Sequence, residues 1–212
     1  MLGRSPTGTR GPLLSSILRE LADLRRPEAA LSLSCRIGAR AHATARALAA
    51  AVPTLVSAFA RMAATTPDAA RSLVACLERG HGESVLADVV GTLGGVPSAS
   101  TDAILEEALG ERRGAIEAQI ARSAGIDPSQ ARAVLASSAT VVLGALGHAL
   151  RQRRWSADDL TRTLAGELNL AEDAVPGSVG VLEELLEADA DSDIGDDVTE
   201  VGAELLARLC ER

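Results

Sequence analysis

The sequence has no lysine and no tyrosine, one tryptophan (Trp155) and one phenylalanine (Phe59), so all 21 basic residues are arginines. The missing amine excludes Schiff-base catalysis and the phosphate-reaching lysine of a P-loop. Two aromatic rings cannot build a stacking platform for single-stranded bases. The cysteines Cys35, Cys76 and Cys210 lie far apart and form no C-x-x-C pair, which removes zinc-knuckle and thioredoxin-like motifs. So sparse and odd a count suits a reducing compartment, and a cytoplasmic protein is expected. His42, His81 and His148 show no His-x-x-x-His or His-Glu-x-x-His spacing. There is no Gly-x-Ser-x-Gly elbow, and no strand signal precedes the glycines at 91, 94 and 95. These absences together lead us to expect no enzymatic activity and no organic cofactor.

Long apolar runs are also scarce. Near the N-terminus Ser15, Ser16, Arg19 and Glu20 interrupt any run of signal-peptide length. The longest apolar stretch, 133–150, contains Ser137, Ser138, Thr140, Gly144 and His148, and reads as a buried core helix rather than a membrane span.

What is present is an ordinary globular composition, with 47% hydrophobic and 24% charged residues over 212 positions. The net charge of -8 is unevenly spread. Residues 167–212 hold 14 acidic against 2 basic side chains, so the rest of the chain is net basic. An acidic tail disfavours nucleic acid. Arg112, Arg113, Arg151, Arg153 and Arg154 form one candidate basic surface, read first as solvated helix faces and helix C-termini.

Helix signals recur along the whole chain and no alternating strand pattern stands out. In Gly125-Ile126-Asp127-Pro128-Ser129-Gln130, Gly125 ends one helix, Asp127 caps the next, Pro128 takes its first position and Gln130 completes a capping box. Thr66-Pro67-Asp68 is a second start. Ser156 with Asp159 opens a third helix, bearing Leu160, Leu164 and Leu168 on one face. Near the end, Val198, Val201, Leu205 and Leu209 share a face of a helix that Asp196 can cap. A shift of 87 places lays 48–77 over 135–164, repeating a long apolar helix, a break and a capped Leu-x-x-x-Leu helix. The expected fold is all-α, a multihelical array of two pseudo-repeated halves sharing a core. Its parts are an N-terminal arm (1–30), a first half (31–96), a Gly/Ser/Pro-rich joint around Gly91–Ser100, and a second half (97–212) with an acidic loop and helix. The extra residues of the second half fall around Asn169–Gly180, where Pro176 and Gly177 mark a loop.

Two features are candidates for function. In 189–200, Asp189, Asp191, Asp193, Gly195, Asp197 and Glu200 occupy the ligand positions 1, 3, 5, 7, 9 and 12 of a calcium loop. Ile194 stands where such loops need glycine for the sharp turn, and Asp196 where an apolar residue pins the loop. The competing reading is a solvated acidic connection. Trp155, following the run Arg151–Arg154, either caps the core or anchors a partner surface. Alanine-rich helices bury modest area each, and self-association would supply more. The expected function is therefore a self-associating interaction or assembly module, the alternative being a calcium-responsive module.

Residues 101–160 resemble a bacterial family catalogued as domain of unknown function 937, also called YidB-like. The likeness rests on Leu109-Gly110-x-Arg112-Arg113, on Gly125–Pro128 and on Leu143-Gly-Ala-Leu-Gly147, with 52–77 similar to the family's leading repeat. The resemblance implies an all-helical, bacterial, soluble and self-associating protein without an established enzymatic activity. Family members often carry an Asp-x-Asp-x-Asp-Gly loop after each half. Here 78–89 has lost most of its acids, and 189–200 keeps the acids without the glycine.

Overall fold

Caps and prolines divide the chain into helices in the computed structural model, which describes residues 17, 21, 26–80, 88–95, 98–187 and 194–210. In order these are α1 (Pro27–Ile37), α2 (Ala41–Thr65), α3 (Pro67–Gly80), α4 (Val89–Gly94) and α5 (Ala99–Leu109). A 3-10 turn (Gly110–Arg112) leads into α6 (Arg113–Ala124), α7 (Pro128–Arg153), α8 (Ala157–Ala174), α9 (Ser178–Glu187) and α10 (Gly195–Cys210). No strand occurs among the described residues, and the fold is all-α.

The expected starts are made by the expected side chains. Thr66 Oγ1 accepts from the Ala69 N–H at 3.1 Å, at the head of α3. Ser156 and Asp159 satisfy each other's backbone N–H groups at 3.2 and 2.9 Å, at the head of α8. Gln130 does more than its motif predicts. Its Oε1 accepts from the Asp127 N–H at 2.9 Å, while its Nε2 donates to the carbonyls of Ile37 and Gly38 at 3.3 and 3.2 Å. One side chain thus closes the start of α7 and the end of α1.

Between Ala47 and Ala60 helix α2 has no charged side chain and every residue is buried. A helix without a polar face has to be surrounded. It packs against α1, α3, α7, α8 and α10 and touches α5, α6 and α9 as well. Helix α7 lies along it, and the small side chains of both let the backbones come close. Phe59 on α2 is fully buried, as are Leu55, Leu73, Leu105, Leu143 and Leu164, all in one cluster that joins residues from both expected halves. Ile17 and Leu21 belong to it, and α1 already begins at Pro27, within the expected arm.

The loop marked by Pro176 and Gly177 is present as a break of three residues, 175–177, with helix on either side of it. Glu172 shortens it by accepting from the N–H groups of Gly177 (2.6 Å) and Val179 (3.0 Å), which starts α9 at once. Two expectations need correction. The joint at Gly91–Ser100 contains α4, because Asp88 caps it through the Gly91 N–H at 2.7 Å and Leu93 is fully buried. Asp196 does not cap α10: it lies inside the first turn and pairs with Arg46 at 3.3 Å. The helix begins one residue earlier, at Gly195, where a Cβ would press on the Gln119 carbonyl.

Candidate functional site

Trp155 owes its position to the way α7 ends. Arg154 adopts a left-handed conformation (φ 53°), its N–H donates to Arg151, and the Trp155 N–H reaches the Leu150 carbonyl at 3.0 Å. In this terminator the residue after the left-handed one folds back onto the last helical turn. Trp155 accordingly packs, half-buried, against the core, and the Arg153 guanidinium lies 5.3 Å from its ring centroid. From Trp155 a groove of about 500 Å³ runs along α8 past Arg162, Thr163 and Gly166 to Leu170. Leu170 is 41% exposed, one of three large apolar side chains so exposed among the described residues, with Leu31 and Val90. Among the described residues nothing outside its own stretch of helix lies within 4 Å of where a Cβ on Gly166 would stand. At the groove's mouth Asp159 pairs with Arg162 at 2.6 Å. The Ser156 hydroxyl and N–H, together with Arg162, hold the Asp159 carboxyl below the usual carboxylate range. At its far wall the buried Glu167 accepts from the Ile17 N–H at 2.9 Å.

A second, charged cleft of about 550 Å³ opens at the corner between α5 and α6. Gly110 turns the corner with φ 55° and ψ −139°, a conformation open in practice only to glycine. The turn swings Arg113 back over α5, 3.0 Å from Asp102 and 3.8 Å from Glu106, with its Nε 3.0 Å from Glu117. Glu117, only 4% exposed, gives its other oxygen to Arg132 of α7 at 3.0 Å. Burial opposes the charge on Arg113, but Asp102 and Glu117 more than offset it and raise its pKa above the ordinary arginine value. No hydroxyl, thiol or imidazole among the described residues lines this cleft. It is an ion-pair lock joining α5, α6 and α7. The sequence reading missed Glu117, although it stands four residues after Arg113, the spacing at which helical side chains meet.

The candidate basic surface is thus largely committed to internal ties. Arg113 is locked, Arg112 donates to the Glu187 carbonyl, and Arg151 donates to the Leu77 carbonyl at 3.3 Å. A third groove holds Cys76, with Ser72 donating to Glu107 at 3.0 Å. Burial pushes the Cys76 thiol up, Arg79 opposes this and Glu107 adds to it, so the protonated and poorly nucleophilic form prevails.

Of the calcium-loop residues, Asp189, Asp191 and Asp193 lie outside the described residues. Asp197 and Glu200 are exposed on the first turns of α10. The Gly195 carbonyl, position seven of the loop, accepts from Thr199 Oγ1 at 2.9 Å. Among the described residues no three His, Cys, Asp or Glu side chains converge as metal ligands. Helices α2 and α7 are long and apolar enough to cross a membrane, yet 89% and 83% of their most apolar windows are buried inside the fold. His42 is exposed and His148 half-buried, while His81 lies outside the described residues.

These features define a class: an all-helical array wrapped round one central apolar helix, with a tryptophan groove on one side and an ion-pair lock on another. A family model described as a bacterial protein of unknown function (DUF937) matches residues 20–149, and the chain belongs to that family. The match takes in α1 to α6 and most of α7, with the Leu-Gly-x-Arg-Arg corner and the Gly-Ile-Asp-Pro start. Trp155, the α8 groove and the acidic stretch lie beyond it. No curated protein and no solved structure matches the chain.

Proposed function

We propose that the protein is a non-enzymatic assembly module of the cytoplasm that self-associates through the α8 groove. The observation that carries this reading is the juxtaposition of half-buried Trp155, just before α8, with exposed Leu170 and the unfilled side of Gly166 among the described residues. Aromatic anchors flanked by an arginine are what the centres of protein interfaces are made of. A second copy is the partner because the charges at the groove match themselves: Asp159 and Arg162 stand side by side. A two-fold axis through the groove would set each Arg162 opposite the other copy's Asp159. Nucleic acid is a poor partner for a chain with an acidic C-terminal stretch and arginines tied inward. Calcium is not part of this reading.

The test is light scattering across a concentration series on the whole chain, on Leu170→Glu and on Trp155→Ala. The expected result is a mass that rises with concentration, and a rise displaced to higher concentration in both variants. A mass unchanged by concentration in all three, or a rise that neither substitution moves, overturns the reading.

A further inference from the structure

The groove side of α8 is a single stripe. Asp159, Arg162, Gly166 and Leu170 follow one another at spacings of three and four, which sets them on one face of the helix, and Trp155 stands at its head. Two helices that pack side by side use this spacing, the knobs of one entering the holes of the other. The stripe holds one of each. Trp155 is the knob, the largest side chain of the groove, packed partly against the core with Arg153 5.3 Å from its ring. Gly166 is the hole. It lies inside an 18-residue helix without a left-handed φ, where glycine is the poorest helix former after proline. Among the described residues, only its own stretch of helix comes within 4 Å of a Cβ there.

The knob cannot fill the hole of its own chain, because eleven positions, roughly 16 Å along a helix axis, separate them. It fits the hole of a second copy. In an antiparallel pair of α8 helices, setting Asp159 against Arg162 of the second copy places the two-fold axis level with the point midway between Leu160 and Thr161. Trp155 and Gly166 lie on either side of that same point, roughly 8 Å from it each. The charge pair and the knob-and-hole pair therefore require one register, although the first rests on sign and the second on size.

We propose that Trp155 of each copy seats on Gly166 of the other, so that Gly166 decides whether α8 accepts a second copy. This rests on the self-association proposed above and adds its register.

Association is measured by light scattering across a concentration series on the whole chain, Gly166→Ala, Gly166→Leu, Trp155→Ala, and Trp155→Ala combined with Gly166→Leu. Circular dichroism melting confirms that each is folded. Alanine and leucine are better helix formers than glycine, so neither should lower the melting temperature of the dilute chain. Gly166→Leu is expected to move the association midpoint to about tenfold higher concentration, as overfilling a contact does, and Gly166→Ala to move it less. In the Trp155→Ala chain no ring is left to displace, and Gly166→Leu should move the midpoint by less than about twofold. Trp155 is the chain's only tryptophan and there is no tyrosine. Its emission should move to shorter wavelength as the whole chain associates, and stay unmoved in Gly166→Leu over the same concentrations.

A Gly166→Leu chain that associates like the parent overturns the proposal, as does a displacement of equal size with and without the ring. If Trp155→Ala and Leu170→Glu still weaken association in either case, the groove remains the interface and only the register falls. If the parent's mass does not change with concentration, both fall. Should Gly166→Leu fail to fold, Gly166→Ala with and without Trp155→Ala decides by the same comparison. Should Trp155→Ala associate too weakly to measure, Trp155→Leu takes its place.

Discussion

Gly202 of α10 lies directly on the carbonyl of Ala49 in α2, so close that a Cβ at position 202 would overlap it, with the Pro53 ring beside them. The three residues form one device. Pro53 sits inside α2 without an N–H, so the Ala49 carbonyl four residues earlier has no helical donor. Gly202 lets the α10 backbone close over that position. Overpacking against backbone cannot be relieved by a rotamer change, so Gly202→Ala is expected to destabilise by roughly 1–3 kcal/mol or somewhat more. For a chain of this length that lowers the melting temperature by about 2–4 °C per kcal/mol. Thermal melting followed at 222 nm reads it directly, and a melting temperature equal to the parent's would show that the two helices are not in this register.

The charged cleft makes a different kind of prediction. Glu117 is 4% exposed and holds two arginines, Arg113 at 18% and Arg132 at 69% exposure. Removing the buried carboxylate leaves Arg113 partly uncompensated, whereas removing Arg132 takes away an exposed partner. Glu117→Gln is therefore expected to cost roughly 2–3 kcal/mol, below the range of fully buried pairs because Arg132 is solvated. Arg132→Ala should cost about 1 kcal/mol or less. Urea denaturation of the two variants checks the order, and an Arg132→Ala chain as damaged as Glu117→Gln would mean that the pairing is misassigned.

Local signals in the sequence were the ones that survived into the structure. Caps act between neighbours three or four residues apart, so Thr66, Asp127 and Ser156 could be read as helix starts and are helix starts. The all-α class followed from the same signals. Long-range features were not legible. Nothing near Gln130 announces that its amide also reaches Ile37 and Gly38, and nothing near Gly195 or Gly202 names the carbonyls they press on. Pro176 and Gly177 mark the break before α9, but nothing beside them tells that it is only three residues long. Glu172 reaches across them and fastens the next helix in three residues. Of the groove, Trp155 was visible as an isolated large ring, but Leu170 was not, because an exposed leucine and a core leucine look alike on an amphipathic pattern. Arg113 was seen only as part of a basic run, and the fold turns it into the centre of an acid cage.

Acid should loosen both ends of α8. Backbone N–H groups of Gly177 and then Val179 hold the Glu172 carboxyl below its ordinary value, and Ser156 with Arg162 does the same to Asp159. A carboxylate with a lower pKa in the folded chain contributes stability that is fully present above its unfolded pKa, about 4. That contribution is lost as pH falls through the folded value beneath it. The melting temperature is expected to be insensitive to these two groups from pH 7 to about 5 and to fall below about 4. Glu172→Gln should lower it at neutral pH and make the acid fall shallower. If the variant and the parent lose the same amount between pH 7 and pH 3, Glu172 does not clasp the α8–α9 turn.

Calcium offers the last check, on the acidic stretch. A loop that wraps the ion needs the backbone carbonyl at its seventh position turned inward and its ninth and twelfth side chains convergent. Here the Gly195 carbonyl accepts from Thr199 Oγ1 at 2.9 Å, inside a helix that already begins at Gly195. Asp197 and Glu200 are exposed, and Asp196, just before them, is drawn to Arg46 at 3.3 Å. Rebuilding the loop round an ion would require unwinding the first turn of α10, where the Thr199 hydroxyl is also 2.8 Å from that of Ser123. Calorimetry with millimolar calcium is accordingly expected to show no binding heat, and melting no displacement. The measurement is sensitive enough to decide: calcium at a hundredfold excess over the dissociation constant stabilises by about 2.7 kcal/mol. For a chain of this size that is a shift of roughly 5–10 °C. A shift of that size, abolished by Asp191→Ala together with Glu200→Ala, would show that α10 starts later in the calcium-bound protein and that the acidic stretch is a site after all.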